Sequence, residues 1–140
     1  MQKDMLIIHT DGGSRGNPGP AACGYVVELN GEVLATGSKF LDSDTNNVAE
    51  YYGVIVALKW LLENIDKYSV TGVLFILDSE LVVKQINGLY KIKKPQLQVL
   101  HSEILRDIEK IKIGVSFKHV PREQNKVADS LVNEELDRNL

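Results

Sequence analysis

The sequence predicts an α/β domain on a mixed five-stranded sheet, three antiparallel strands followed by two parallel ones, with helices packed against it. Three observations carry this. Asn30-Gly31 joins two β-prone runs with the residue pair that suits a type I′ hairpin, which needs positive φ at both central positions. Residues 73–77, Val-Leu-Phe-Ile-Leu, form an unbroken apolar run, as in a strand buried on both faces. Between these, Val48, Tyr51, Ile55, Leu58 and Leu62 recur at helical spacing.

The first strand is expected over residues 5–10 and closes at Asp11-Gly12-Gly13; the second covers 23–29 and the third 32–39. After the polar stretch 42–47 comes a helix of about four turns, with Asn47 and Glu50 spaced for a capping arrangement. The strand 73–77 ends at Asp78. Ser79 caps a short helix that Gly88 stops. A basic loop, 90–95, leads to an amphipathic helix carrying Leu97, Leu100, Ile104 and Ile108, then a strand over 115–120 ended by Pro121. The last helix, 125–136, places Val127, Ala128, Leu131 and Val132 on one face.

At 140 residues, 44% hydrophobic and 25% charged, the composition is that of one ordinary soluble domain. The single cysteine, Cys23, excludes an internal disulfide or thiolate cluster, suits a reducing compartment, and reads as core packing. The N-terminus lacks a basic stretch followed by a long apolar run, and no window approaches the roughly 20 apolar residues of a membrane span, so a cytoplasmic protein is expected. A formal net charge of -3 offers no global attraction for nucleic acid. Any such binding must come from a local basic surface.

Asp11 and Asp78 each follow an apolar run. On neighbouring parallel strands their carboxylates would emerge at one sheet edge about 4.8 Å apart, close enough to need a cation. Hard oxygen ligands favour magnesium or manganese over zinc. Glu50, in the first turn of the long helix, and Asp129, beside Ala128 on the last one, are each placed to turn inward. Taken singly, each acid has a plainer reading: turn former for the aspartates after strands, helix cap for Glu50, solvated face for Asp129.

Four strings, in order and spacing, resemble the motifs of the type 1 ribonuclease H family. They are Asp11-Gly12-Gly13-Ser14-Arg15-Gly16-Asn17-Pro18-Gly19-Pro20, Thr45-Asn46-Asn47-Val48-Ala49-Glu50, Asp78-Ser79-Glu80-Leu81-Val82 and Asn125-Lys126-Val127-Ala128-Asp129. The resemblance covers essentially the whole chain. The run Val120-Pro121-Arg122-Glu123-Gln124-Asn125 is similar to the archaeal-type subgroup, which also occurs in bacteria.

The resemblance implies a ribonuclease H-like fold and an endoribonuclease that hydrolyses the RNA strand of RNA/DNA hybrids, leaving 5′-phosphate and 3′-hydroxyl ends. It implies that Asp11, Glu50, Asp78 and Asp129 are the catalytic acids and hold two Mg2+ ions, with Mn2+ as a substitute. Such ions, about 3.5 to 4 Å apart, activate a water and stabilise the leaving oxygen. Asp11, at the centre, is the candidate bridging ligand. Asn17, Asn47 and the backbone of Gly12 and Ser14 match positions that sense the ribose 2′-hydroxyl across the wide minor groove. Thr45 and Asn46 either hold a DNA-strand phosphate or simply start the helix. Glu80, where familiar bacterial relatives have glutamine, adds a negative charge near that surface.

Lys91, Lys93 and Lys94, with Lys84 and Tyr90 nearby, stand where better-known relatives carry a larger basic protrusion. They are expected to meet the hybrid's phosphates, with weaker and more salt-sensitive binding; a solvated charge run is the plainer alternative. Many members have a glycine- and histidine-containing loop before the last aspartate. Here Arg122 and Glu123 are the candidate auxiliary groups instead, His119 reads as structural and His101 as a helix-surface residue. Trp60, Tyr51, Tyr52 and Phe75 read as packing. The expected partner is an RNA/DNA hybrid, with double-stranded RNA as a further substrate class. A monomeric single domain over 1–140, without a hybrid-binding domain or a membrane contact, is expected. Two rivals stand beside this: a non-catalytic binding module of the same fold, and a DNA nuclease of the wider superfamily.

Overall fold

In the computed structural model, which describes residues 4–140, Asn30 and Gly31 adopt φ of 53° and 80°. They turn β2 (Gly19–Leu29) back onto β3 (Glu32–Asp44), as a type I′ hairpin requires. β2 also pairs antiparallel with β1 (Met5–Ser14), which completes the expected meander. β4 (Gly72–Leu77) runs parallel to β1, and β5 (Gly114–His119) runs parallel to β4. The order is β3-β2-β1-β4-β5, and Val73, Phe75 and Leu77 of β4 are fully buried.

The strands extend further than the apolar pattern predicts. β1 does not close at Asp11: residues up to Ser14 stay paired with β2, although the last pair with β4 is His9 with Ile76. Asp11 therefore lies inside a strand that has just lost one of its two neighbours. β2 starts at Gly19 and β3 continues to Asp44. A ladder needs only backbone N–H and C=O groups, so glycine-rich and polar stretches carry it without an apolar signature.

α1 (Asn46–Asn64) is 19 residues long, about five turns rather than four. Its cap is Thr45, whose Oγ1 accepts the Val48 N–H at 3.3 Å, rather than the expected pairing of Asn47 with Glu50. α2 (Glu80–Ile86) begins as expected at Ser79, whose Oγ accepts from the Val82 N–H at 3.3 Å, and is followed by Gly88 at φ 79°. α3 (Pro95–Glu109) buries Leu97, Leu100 and Ile104. α4 (Lys126–Asn139) buries Ala128, Val132 and Leu136. Val127 is 55% exposed, because the buried stripe runs at i, i+4, i+8 and residue 127 falls one step off it.

Side chains of directly paired residues share a face, so Val27 lies with Ile8 and Leu6, while Ala22 and Gly24 lie opposite. α1 and α3 build the main core on the first face, and α4 covers the second against Ala22 and Phe40. Among the described residues no helix is long and apolar enough to cross a membrane.

α1 rests on β1 with almost no space between backbones. A Cβ on Gly12 would lie 2.1 Å from the Ala49 carbonyl oxygen, and one on Gly53 would lie 2.7 Å from that of Asp11. Gly12→Ala is therefore expected to cost about 3 kcal/mol or more in denaturant unfolding, since only a backbone shift relieves the clash. Gly114→Ala, whose Cβ would meet nothing within 4 Å, should stay within about 0.5 kcal/mol of the parent.

Candidate active site

The close approach of α1 delivers Glu50 to β1, where its Oε1 accepts the Gly12 N–H at 3.0 Å. Asp11 follows the last residue pair between β1 and β4, and Asp78 follows the end of β4. Two steps beyond the pairing of His9 with Ile76, the same register sets Asp11 opposite Asp78. Asp11, Glu50 and Asp78 each offer a carboxylate oxygen, and these atoms lie within 4.8 Å of one another. The expected edge is thus present, formed where two parallel strands part.

Asp11 and Glu50 are only 6% and 7% exposed, and burial penalises their charged forms. It raises Asp11 to about 6, Asp78's charge adding to the effect while the bonds from Glu50 and from the Gly12 amide oppose it. Glu50 is pushed well above the usual carboxylate range, by burial first and then by the neighbouring Asp11 carboxylate. Asp78 is also raised, mainly by burial, with the Asn125 amide and the Arg122 charge pulling it back.

Glu50 Oε2 is buried and finds no donor among the described residues. Three hard oxygen donors at this spacing, one of them otherwise unsatisfied, fit a small divalent cation. Asp129 stands outside the tight group but on the same groove, on the first turn of α4, with Arg122 Nη2 3.6 Å from its Oδ1.

The groove has a volume of about 420 Å3. Gly12, Ser14, Asn46 and Asn47 line one side of it. The Ser14 N–H and hydroxyl both donate to Asn46 Oδ1, at 2.9 and 3.1 Å. The Asn46 N–H donates to Asn17 Oδ1 at 2.9 Å. The amides of Gly12 and Ser14 are thus already engaged within the chain, and Asn17 and Asn46 brace the glycine-rich loop against the start of α1. Thr45 is occupied as the helix cap. Arg15, on the groove wall, donates to Asp137 at 2.7 Å.

Glu80 is exposed on the first turn of α2, 3.6 Å from Lys84. Lys91, Lys93 and Lys94 are exposed on the loop between α2 and α3, beyond the groove. Lys84 donates to the Tyr90 hydroxyl at 3.2 Å and lies 5.1 Å above its ring. Of the two auxiliary candidates, Arg122 reaches the groove and Glu123 faces a separate cavity beside His9 and Glu28. His119 is exposed at the end of β5 rather than structural. His101 is half-buried with its Nε2 shut from solvent, so it is not a plain surface residue. Cys23 is fully buried, as expected.

Two groups stand beside the acids without a role assigned from the sequence, Asn125 and His9. Asn125 is 1% exposed and contacts both His9 and the Thr10 carbonyl. An asparagine four residues before Asp129 is visible in the last motif, but nothing local links it to residues 9 and 10.

The fold and the acid cluster define a class: α/β domains that gather carboxylates at one sheet edge to hold divalent metal. Residues 9–135 match the family model described as reverse transcriptase-like. A ribonuclease HI of Halobacterium salinarum is 40% identical over 132 residues, 91% of this chain and 62% of that protein. A bifunctional protein of Mycobacterium tuberculosis is 38% identical over 134 residues, 94% of this chain. The chain spans 35% of that protein's length. The crystal structure of a ribonuclease H1 from compost, in complex with an RNA/DNA hybrid, superposes with a TM-score of 0.90 at 42% identity, covering 96% of this chain and 98% of that one. The chain belongs to the type 1 ribonuclease H family.

The acids predict how the metal-free protein responds to pH. A carboxyl whose pKa is raised on folding stabilises the fold while protonated, and that stability is lost as pH rises from about 4 through about 6. Acidifying from pH 7.5 to 5 should therefore recover on the order of 1 to 2 kcal/mol. In Asp11→Asn that gain should shrink but persist, because burial still raises Glu50 and Asp78, and it should fall further in Asp11→Asn with Glu50→Gln, measured by chemical denaturation in a chelator at both pH values.

Proposed function

We propose that the chain is a monomeric catalytic domain that hydrolyses the RNA strand of RNA/DNA hybrids endonucleolytically, leaving 5′-phosphate and 3′-hydroxyl ends. The observation that carries this reading is the convergence of Asp11, Glu50 and Asp78 at the floor of a groove walled by the glycine-rich loop and the start of α1. The hybrid complex of the compost ribonuclease H1 supports the choice of substrate.

Two Mg2+ ions, or Mn2+ in their place, held by the three clustered acids with Asp129 completing the set, would supply an activated water and neutralise charge at the leaving oxygen. Burial of Asp11 and Glu50 keeps their oxygens out of competition with bulk water. Gly12 fixes one oxygen of Glu50 and so aims the other into the site. Arg122 holds Asp129 to the groove wall and offers the positive charge that many relatives place there as histidine.

Substrate selection falls to the groove wall. Asn17 and Asn47 carry amides able both to donate to and accept from a 2′-hydroxyl, and Gly12 and Ser14 shape the loop that lets the RNA strand approach. Thr45 and Asn46 sit at the start of α1, whose positive dipole end suits a DNA-strand phosphate. Glu80 weakens the attraction on its side of the surface. Lys91, Lys93 and Lys94 meet phosphates beyond the groove. Double-stranded RNA, which shows 2′-hydroxyls in the same minor groove, is a secondary substrate.

A labelled RNA/DNA hybrid incubated in Mg2+ and in Mn2+ tests this, with duplex DNA and duplex RNA as controls. Cutting confined to RNA strands is expected, and Asp11→Asn should lower kcat by about a thousandfold or more while still binding hybrid in Ca2+. Binding without any cutting by the folded parent would leave a binding module, and cutting of duplex DNA would leave a DNA nuclease.

The basic loop has its own test. Replacing Lys91, Lys93 and Lys94 together by alanine should lower the slope of log affinity against log salt by about 1 to 3, at roughly 0.7 to 0.9 for each phosphate that is no longer neutralised. Single-turnover cleavage at saturating hybrid should be unchanged.

A further inference from the structure

Buried Asn125 joins the three elements that carry the aspartates, two through its carboxamide and one through its backbone. Its Nδ2 donates to the Thr10 carbonyl at 2.9 Å. Thr10 is one residue past His9, where pairing with β4 ends, so the amide supplies a donor where a neighbouring strand no longer does. The Asn125 backbone carbonyl accepts the Asp129 N–H at 3.2 Å, the ordinary first bond of α4. The same carboxamide lies against Asp78 and favours its charged form. Asn125 thus meets the backbone before Asp11 and the Asp78 carboxylate with its side chain, and the turn bearing Asp129 with its backbone.

With Nδ2 committed to a carbonyl, Oδ1 is the atom that faces His9 Nδ1, at 3.0 Å. Two acceptors cannot share a hydrogen bond, so His9 carries a proton on Nδ1 and donates it. A half-turn of the amide would point Oδ1 at the Thr10 carbonyl and toward Asp78, leaving both without a donor and adding repulsion.

We propose that His9 is a positioning residue that locks the Asn125 carboxamide in the orientation that braces the Thr10 carbonyl next to Asp11 and presents an N–H toward Asp78. The inference rests on the reading of these acids as metal ligands. His9 acts through a donor to Oδ1 and touches neither metal nor substrate. Its neighbours on α4's side of the sheet are Asn125, Glu28, Glu123 and Lys126. Any residue that keeps a donor at Nδ1's place should therefore preserve the lock.

The experiment titrates MnCl2 by calorimetry into the parent, His9→Gln, His9→Leu and Asp11→Asn, each checked for folding by circular dichroism. Glutamine retains an N–H donor, whereas leucine fills similar space without one. His9→Leu is expected to bind Mn2+ about tenfold or more weakly, the size usual when a group supporting a ligand is lost, and His9→Gln within about threefold of the parent. Exchange of the Asn125 side-chain amide protons with solvent, followed by NMR without metal, should be slow in the parent and in His9→Gln and about tenfold or more faster in His9→Leu. That second readout is preferred to Asn125→Ala, which strands a buried Thr10 carbonyl and risks unfolding. A parent that fails to bind Mn2+, or binds it equally after Asp11→Asn, defeats the metal reading itself. A parent that binds through Asp11 while His9→Leu matches it, or while His9→Gln is as weak as His9→Leu, overturns the lock alone.

Discussion

The seating of α1 on β1 without an intervening side chain determines where the acids stand. Gly12 and Gly53 make it possible, since a methyl group at either would overlap a carbonyl oxygen of the opposing element. From that contact Glu50 acquires its partner, the Gly12 amide, and its distance to Asp11. The helix also places Asn46 against Ser14, so the glycine-rich loop takes its shape from the same junction. Helix, loop and acid cluster form one mechanical unit.

The parting of β1 from β4 complements that seating. A parallel pair that continued past His9 and Ile76 would bury the backbone of Asp11 and Asp78 in the ladder and leave no opening for Glu50, which arrives from the α1 face. Ending the pairing frees the Thr10 carbonyl, which needs a new donor and finds it on Asn125 of the element leading into α4. The sheet edge that gathers charge is therefore also the edge where the backbone recruits side chains to finish its hydrogen bonding.

Much of this was legible in the sequence, for reasons that differ by element. The hairpin at Asn30-Gly31, the Ser79 cap and the Gly88 stop rest on backbone chemistry confined to a few neighbouring residues, and each stands where expected. The apolar run of β4 announces a central strand because both faces are covered. The outer reaches of β1, β2 and β3 were not legible, since glycine and serine pair as well as valine does but carry no pattern. The pairing of Asn47 with Glu50 failed as a cap because Glu50 is claimed by Gly12, 38 residues away in sequence, and no local rule competes with that. The four acids emerged from motif order rather than from any one position. Asn125 is part of the last of those motifs, but its pairing with His9, 116 residues away, was not legible, and His9 is ordinary in its own surroundings.

The burial shared by Asp11 and Glu50 makes a proton and a cation rivals for one place. At low pH the proton is favoured and the fold is steadied, because burial penalises the charged carboxylates. Near neutrality the cation wins, releasing protons as it enters, so the heat of loading will depend on the ionisation enthalpy of the buffer. The conditions kindest to the empty domain are those in which it is least able to work. The site thereby has an opposition between durability and readiness built into two side chains.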